Sequence, residues 1–152
     1  MQRGLVIAED SQKGRKLLNE AAAAARGSDC GLVVLSIIHP ESFAADVETL
    51  EAIGDVEDTH YDENNVLDAE RNSVQSIVAD SIDDGNLEIT YRVSVASQDE
   101  LVKEVLKTAQ NTECDHLFTC GNQRSPTGKA IFGDSTQQLL LEFPGPVTVA
   151  LD

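Results

Sequence analysis

The residues best suited to chemistry lie between Cys120 and Thr136, in the run C-G-N-Q-R-S-P-T-G-K-A-I-F-G-D-S-T. The run leaves an apolar segment, Leu117-Phe118, and ends where a helical pattern begins. Gly121, Gly128 and Gly133 let backbone approach a ligand closely. Ser125, Thr127, Ser135 and Thr136 supply hydroxyls, and Arg124 and Lys129 supply positive charge. A strand-to-helix loop of this make-up suits phosphate, because N–H groups at a helix start face the ligand and carry partial positive charge. It is not a P-loop: Gln123 stands where that motif needs glycine, and Ala130 where it needs a magnesium-binding hydroxyl. The plainer alternative is a connection whose glycines serve turn geometry and whose bases are solvated.

Three more bases, Lys13, Arg15 and Lys16, bring the set to five of the eleven in a chain of formal charge −16. Gathered at one rim they would attract an anion. Glu9 and Asp10 suit a ribose or magnesium, and equally serve as acids of a first helical turn. Asp134 reads as a helix cap rather than a metal ligand, since it would repel phosphate. His39, His60 and His116 lack metal-ligand spacing.

Charge excludes several classes of function. With 27 acids against 11 bases the chain is unsuited to nucleic acid or to an anionic membrane surface. No apolar run approaches the ~20 residues of a membrane span, and Met1-Gln2-Arg3 leads straight into a strand-like segment, without a signal peptide. Cys30, Cys114 and Cys120 form no C-x-x-C pair and read as reduced thiols of a cytoplasmic protein. The acidic excess fits a halophilic cytoplasm, where molar salt shortens the Debye length to ~3 Å and screens self-repulsion. A 41% hydrophobic content with clear periodicity speaks for a folded chain, and 152 residues for one domain, 1–152.

The elements that must position the loop follow from periodicity. Leu5–Ala8 is an apolar strand, and Asp10 or Ser11 caps a helix bearing Leu17, Leu18, Ala21, Ala22 and Ala25 on one face and stopping at Gly27. Gly31–Ile38 is a strand buried on both faces. Residues 39–63 form a helical, acidic insertion, with a packing helix over 42–53 closed by Gly54 and a loop from Asp55 to Glu63. A helix runs from about Asn65 to Ile82. Leu87–Val95 alternates as a half-wet strand, and Ser97-x-x-Glu100 reads as a capping box opening the next helix. His116–Cys120 is a strand; Ser135-x-x-Gln138 reads as a second capping box; Val147–Leu151 is a last alternating strand. Strands alternating with helices make a parallel sheet covered on both faces. Apolar strands one, two and four belong in the middle and alternating strands three and five at the edges, which gives the order 3-2-1-4-5. The switch point then falls between strands one and four, walled by Ala8–Ser11 and Gly121–Gly133.

Three segments carry a family likeness: the turn Ala8-Glu9-Asp10-Ser11, the run Gly133-Asp134-Ser135-Thr136, and Pro144-Gly145-Pro146-Val147. On these the chain resembles the universal stress proteins over essentially its whole length. Arg124-Ser125-Pro126-Thr127-Gly128-Lys129 resembles a loop of haloarchaeal members. The resemblance implies a Rossmann-like three-layer sandwich and an adenine nucleotide, ATP with or without magnesium. It implies phosphates over Gly121, Arg124, Ser125, Thr127, Gly128, Lys129, Gly133, Ser135 and Thr136. Ribose and base would meet Ala8, Glu9, Ser11 and Ile38, with Glu9 where the family usually has Asp. Arg124 departs from the family at the middle glycine, and Asp134 stands where Ser or Thr is usual unless Ser135 takes that role. The resemblance also implies a homodimer through strand 147–151. The expected function is thus a nucleotide-binding regulatory protein of the stress response. Two alternatives stay open: a dimeric interaction protein binding at most a small anion, and a weak ATPase using Glu9 or Asp10.

Overall fold

Two runs, Leu5-Val6 and Leu32–Leu35, are buried throughout and form the middle of a parallel sheet. The computed structural model describes residues 1–83, 85–121 and 133–151. Its elements are β1 (Arg3–Ile7), α1 (Gln12–Gly27), β2 (Gly31–Ile38), α2 (Pro40–Glu57), α3 (Glu63–Ser81), β3 (Ile89–Val95), α4 (Leu101–Asn111), β4 (His116–Cys120), α5 (Asp134–Glu142) and β5 (Val147–Ala150). The five strands lie in the order β3-β2-β1-β4-β5, all parallel, as the apolar patterning predicts. Leu5 of β1 lies between Val33 of β2 and Leu117 of β4.

Side chains alternate across the sheet. Val6, Val34 and Phe118 therefore pack under Leu17, Leu18 and Ala21 of α1 and Val74 and Val78 of α3. Leu5, Val33, Leu35 and Leu117 pack under Val102, Val105 and Ala109 of α4 and Leu139 of α5. Each fully buried Val, Leu or Phe contributes about 1.5–3 kcal/mol, so these two layers hold the sheet together.

Several boundaries differ from the periodicity reading. β1 starts two residues early, at Arg3, and β5 stops at Ala150. α2 begins at Pro40, whose fixed φ suits a first helical turn, and the His39 side chain accepts from Glu41 N–H at 3.2 Å. The helix then runs through Gly54 to Glu57. The stop is Asp58, in the left-handed region at φ 56°, with Thr59 N–H donating to the Gly54 carbonyl at 2.8 Å. Gly54 is glycine because a Cβ there would lie 2.4 Å from the Thr59 carbonyl oxygen. α2 packs mainly on α3, and its outer side leaves Val56 89% exposed. α3 starts at Glu63 because Asp62 and Asn65 form a reciprocal capping box. The two boxes expected farther along are not helix caps. Glu100, not Ser97, stands at the cap of α4, and Gly133, not Ser135 or Asp134, at that of α5.

Candidate functional site

The carboxyl ends of β1 and β4 lie side by side, and the turns that follow them meet there. After β1 the chain turns through Ala8–Asp10 into α1. Ala8 N–H donates to the Leu35 carbonyl at 2.8 Å, which anchors the turn to β2. Ser11 is the N-cap: its hydroxyl accepts from Gly14 N–H at 2.9 Å and donates to Glu9 Oε2 at 2.5 Å. The Glu9 carboxylate is thereby held over the first turn of α1. Gly14 makes this possible, since a Cβ there would sit 1.9 Å from the Glu9 carbonyl oxygen. The sequence carries a signal for this in a glycine three residues after the capping serine, which periodicity alone passes over.

Lys13 reaches from the same turn to the end of β4, where its Nζ donates to the Gly121 carbonyl at 2.6 Å. The two segments, over a hundred residues apart in sequence, are thus joined directly. Arg15 belongs to the same rim, but Asp10 takes its guanidinium at 3.1 Å, so its charge is already matched. Lys16 is exposed on α1. Gly121 has a packing role as well, because a Cβ there would lie 2.6 Å from Leu151 Cδ2 and 2.8 Å from Val149 Cγ1.

α5 lies on the crossover from β4 to the parallel β5, so it begins on the carboxyl side of the sheet. Its N-cap, Gly133, has no side chain with which to cap the first-turn N–H groups, and Asp134 puts a carboxylate into that turn. Ser135 lies inside the turn, and its Oγ accepts from Gln98 Nε2 at 2.6 Å. Gln98 was not among the residues expected at the site. Its bond ties the β3–α4 turn to the start of α5. In that β3–α4 turn Glu100 Oε1 takes both the hydroxyl and the N–H of Ser97, which hold its carboxyl below the ordinary value. Thr136 is buried.

Ile38 sits at the end of β2, where it lines a cavity of about 330 Å³ with Asp46, Thr49 and Leu50 of α2 and Val66 and Glu70 of α3. Two residues earlier the buried Ser36 hydroxyl donates to Glu70 Oε1 at 2.6 Å. Of the expected residues, the structure therefore gathers Glu9, Ser11 and Gly121 around one junction and sets Gly133 and Ser135 at the start of α5. Ile38 opens toward α2. Arg124, Ser125, Thr127, Gly128 and Lys129 lie outside the described residues. No group of three or more metal-ligating side chains occurs among the described residues, and no helix there is long and apolar enough to cross a membrane.

The sequence pattern of the universal stress protein family matches residues 1–150. No curated protein matches the chain. Among solved structures, a universal stress protein from Archaeoglobus fulgidus is 19% identical with a TM-score of 0.64, covering 99% of this chain and 98% of its own. One from Archaeoglobus fulgidus in complex with dAMP is 14% identical with a TM-score of 0.60, over 99% and 97%. A universal stress protein in complex with cAMP is 13% identical with a TM-score of 0.61, over 99% and 96%. At these identities the likeness is one of fold.

Proposed function

Taking as given that this chain belongs to the universal stress protein family, we propose that it binds an adenine nucleotide, ATP with or without magnesium, as a regulatory protein of the cytoplasm. The nucleotide lies at the switch point between β1 and β4. Its phosphates run over the segment from Gly121 to Thr136, where Arg124 and Lys129 offset charge. Ser125, Thr127 and Ser135 donate hydroxyls, and Gly128 and Gly133 give the backbone room. Glu9, steadied by Ser11, takes the ribose, and Ala8 and Ile38 flank the base.

The observation that carries this reading is the Lys13–Gly121 bond of 2.6 Å, which brings the β1 turn against the end of β4. The uncapped first turn of α5 adds donors suited to phosphate. The cAMP and dAMP complexes of similar folds lend support. One observation favours the alternative of an interaction protein without nucleotide: Gly121 is explained by its packing on Val149 and Leu151 alone. In either case the half-buried edge strand β5 pairs with a second copy, giving a mass about twice 16.4 kDa.

A thermal-shift titration with ATP, ADP and AMP, with and without magnesium, in molar KCl tests the proposal. At a hundred times Kd, binding stabilises the native state by about 2.7 kcal/mol, so a saturable rise in Tm is expected. Lys129→Gln should weaken it. No shift with any nucleotide, in a protein that retains its dimer mass, would leave the interaction protein. The same apparatus checks the salt expectation, since a chain of charge −16 should melt higher in molar KCl than in dilute buffer.

A further inference from the structure

The outer side of α2 carries an apolar stripe that the fold does not use. Phe43, Val47 and Leu50 are half-buried and Gly54 is buried, and their spacing puts them on the inner side of the helix, against α3. Thr49, Ala52, Ile53 and Val56 recur at i, i+3, i+4 and i+7 and form a second stripe, turned outward. Val56 is 89% exposed, the most of any large apolar residue described, and Ile53 is 42% exposed. With Glu48 and Glu57 the stripe lines a shallow hollow of about 570 Å³. Single exposed apolar residues are ordinary on a protein surface, but a contiguous stripe with polar margins marks an interaction site.

The charges around the stripe say what covers it. α2 carries Glu41, Asp46, Glu48, Glu51, Asp55 and Glu57 and no Lys or Arg. At about 100° per residue, Glu48 and Asp55 fall along one margin of the stripe and Asp46 and Glu57 along the other. Asp55 and Glu57 also stand in the last turn, at the negative end of the helix dipole, where no base offsets them. Solvation accounts for the acids taken alone, but not for the apolar residues held between them. A second copy of the chain is a poor fit, because a two-fold contact would set Glu48 and Glu57 against their own kind. A membrane surface is a poor fit too, since interfacial helices carry bases beside their apolar face and anionic headgroups would meet the acids. The matching surface is apolar in the middle and cationic on both sides.

We propose that the outer side of α2 docks a cationic amphipathic helix of another protein. Apolar side chains of that helix fill the hollow over Ile53 and Val56. Lys or Arg on its flanks pair with Glu48 and Asp55 on one margin and with Asp46 and Glu57 on the other, and offset the negative end of α2. Ile53 and Val56 have no part in the proposed nucleotide site, so this surface stands or falls apart from it.

The test is an NMR titration of the isotope-labelled full chain, at the lowest KCl concentration that keeps it folded. The probes are three synthetic peptides of 18 residues, the length of α2. One is an amphipathic helix of Leu, Ala and Lys; one has Glu in place of Lys; one is the Lys peptide scrambled so that no apolar face remains. The Lys helix should move the Ile53 and Val56 signals saturably. The Glu helix should move neither, and the scrambled peptide should bind at least about tenfold more weakly. Val56→Ser should weaken the Lys helix about tenfold and leave the melting temperature unchanged, because the residue is exposed. Glu48→Gln should weaken it about threefold, and Glu20→Gln, on the exposed side of α1, should leave it unchanged. The proposal is overturned if the Lys helix does not saturate, if the scrambled peptide binds as well, or if Val56→Ser has no effect. It is also overturned if phosphatidylcholine vesicles move the same signals, which would make the surface a lipid contact, or if dilution of the chain alone moves them, which would make it a contact between copies.

Discussion

The two ends of the sheet use the same kinds of polar residue in opposite ways. At the amino end, hydrogen bonds join strands far apart in sequence. Asp115, just before β4, accepts from Gln2 N–H at 3.0 Å and Arg3 N–H at 3.3 Å, and Arg3 Nη1 donates to the Thr112 carbonyl at 2.7 Å. His116 stacks on Phe118 at 4.3 Å and bonds Thr148 of β5 at 2.9 Å. At the carboxyl end several side-chain bonds join neighbours on one turn: Glu9 with Ser11, Asp10 with Arg15, Ser97 with Glu100. The Lys13–Gly121 and Gln98–Ser135 side-chain bonds cross between turns. One end thus clamps the strands in register. The other shapes each of its turns mainly from within.

The largest effect should come from the rim itself. Gly14→Ala would drive a Cβ into the Glu9 carbonyl, and unfolding in denaturant should show a loss of about 3 kcal/mol together with lost nucleotide binding. At the clamped end, Asp115→Ala removes an acceptor for two N–H groups and should cost about 1 kcal/mol in the same assay while nucleotide affinity stays unchanged. An Asp115 variant that lost affinity would break the contrast between the ends. Lys13→Met should cost about 1 kcal/mol as well, but, unlike Asp115→Ala, should weaken nucleotide binding about tenfold by calorimetry.

The smallest effect is one of pH. Burial lowers the His116 pKa below its ordinary 6.5, an effect that Asp115 opposes and the amino terminus supports. The unfolded chain therefore takes up the proton first as pH falls. Stability from this group is complete above 6.5 and declines through the window between 6.5 and the lower folded value. His116→Gln should flatten that part of the stability profile. Asp115 moves the other way in origin: burial raises its pKa, but the Arg3 and Gln2 N–H groups and the amino terminus outweigh this and hold it low. It stays charged through the same window, so the decline belongs to the histidine.

The sheet was legible because burial on two faces and on one face leave different patterns, as in Leu32–Leu35 against Ile89–Val95. Strand order and the meeting of β1 with β4 followed from that. Gly54 was not legible as a contact, since the residue that needs its missing side chain, Thr59, lies across a turn whose left-handed residue is an aspartate. The spacing Ser97-x-x-Glu100 suggests a cap, yet Glu100 satisfies Ser97 in a turn ahead of the helix. Ser135 went to Gln98 rather than to its own helix. At the rim the neighbouring of β1 and β4 follows from the pattern but the side-chain pairing does not, and Arg15 spends its charge on Asp10. Sequence spacing identifies groups able to bond; which bond they form depends on neighbours supplied by other crossovers.

The position of β1 between β2 and β4 has a consequence for how the chain is made. β1 and β2 can pair early, but the other edge of β1 stays open until His116 and its strand leave the ribosome. During that interval Leu5 and Val6 belong to an exposed strand edge, so productive folding competes with aggregation for most of the time of synthesis.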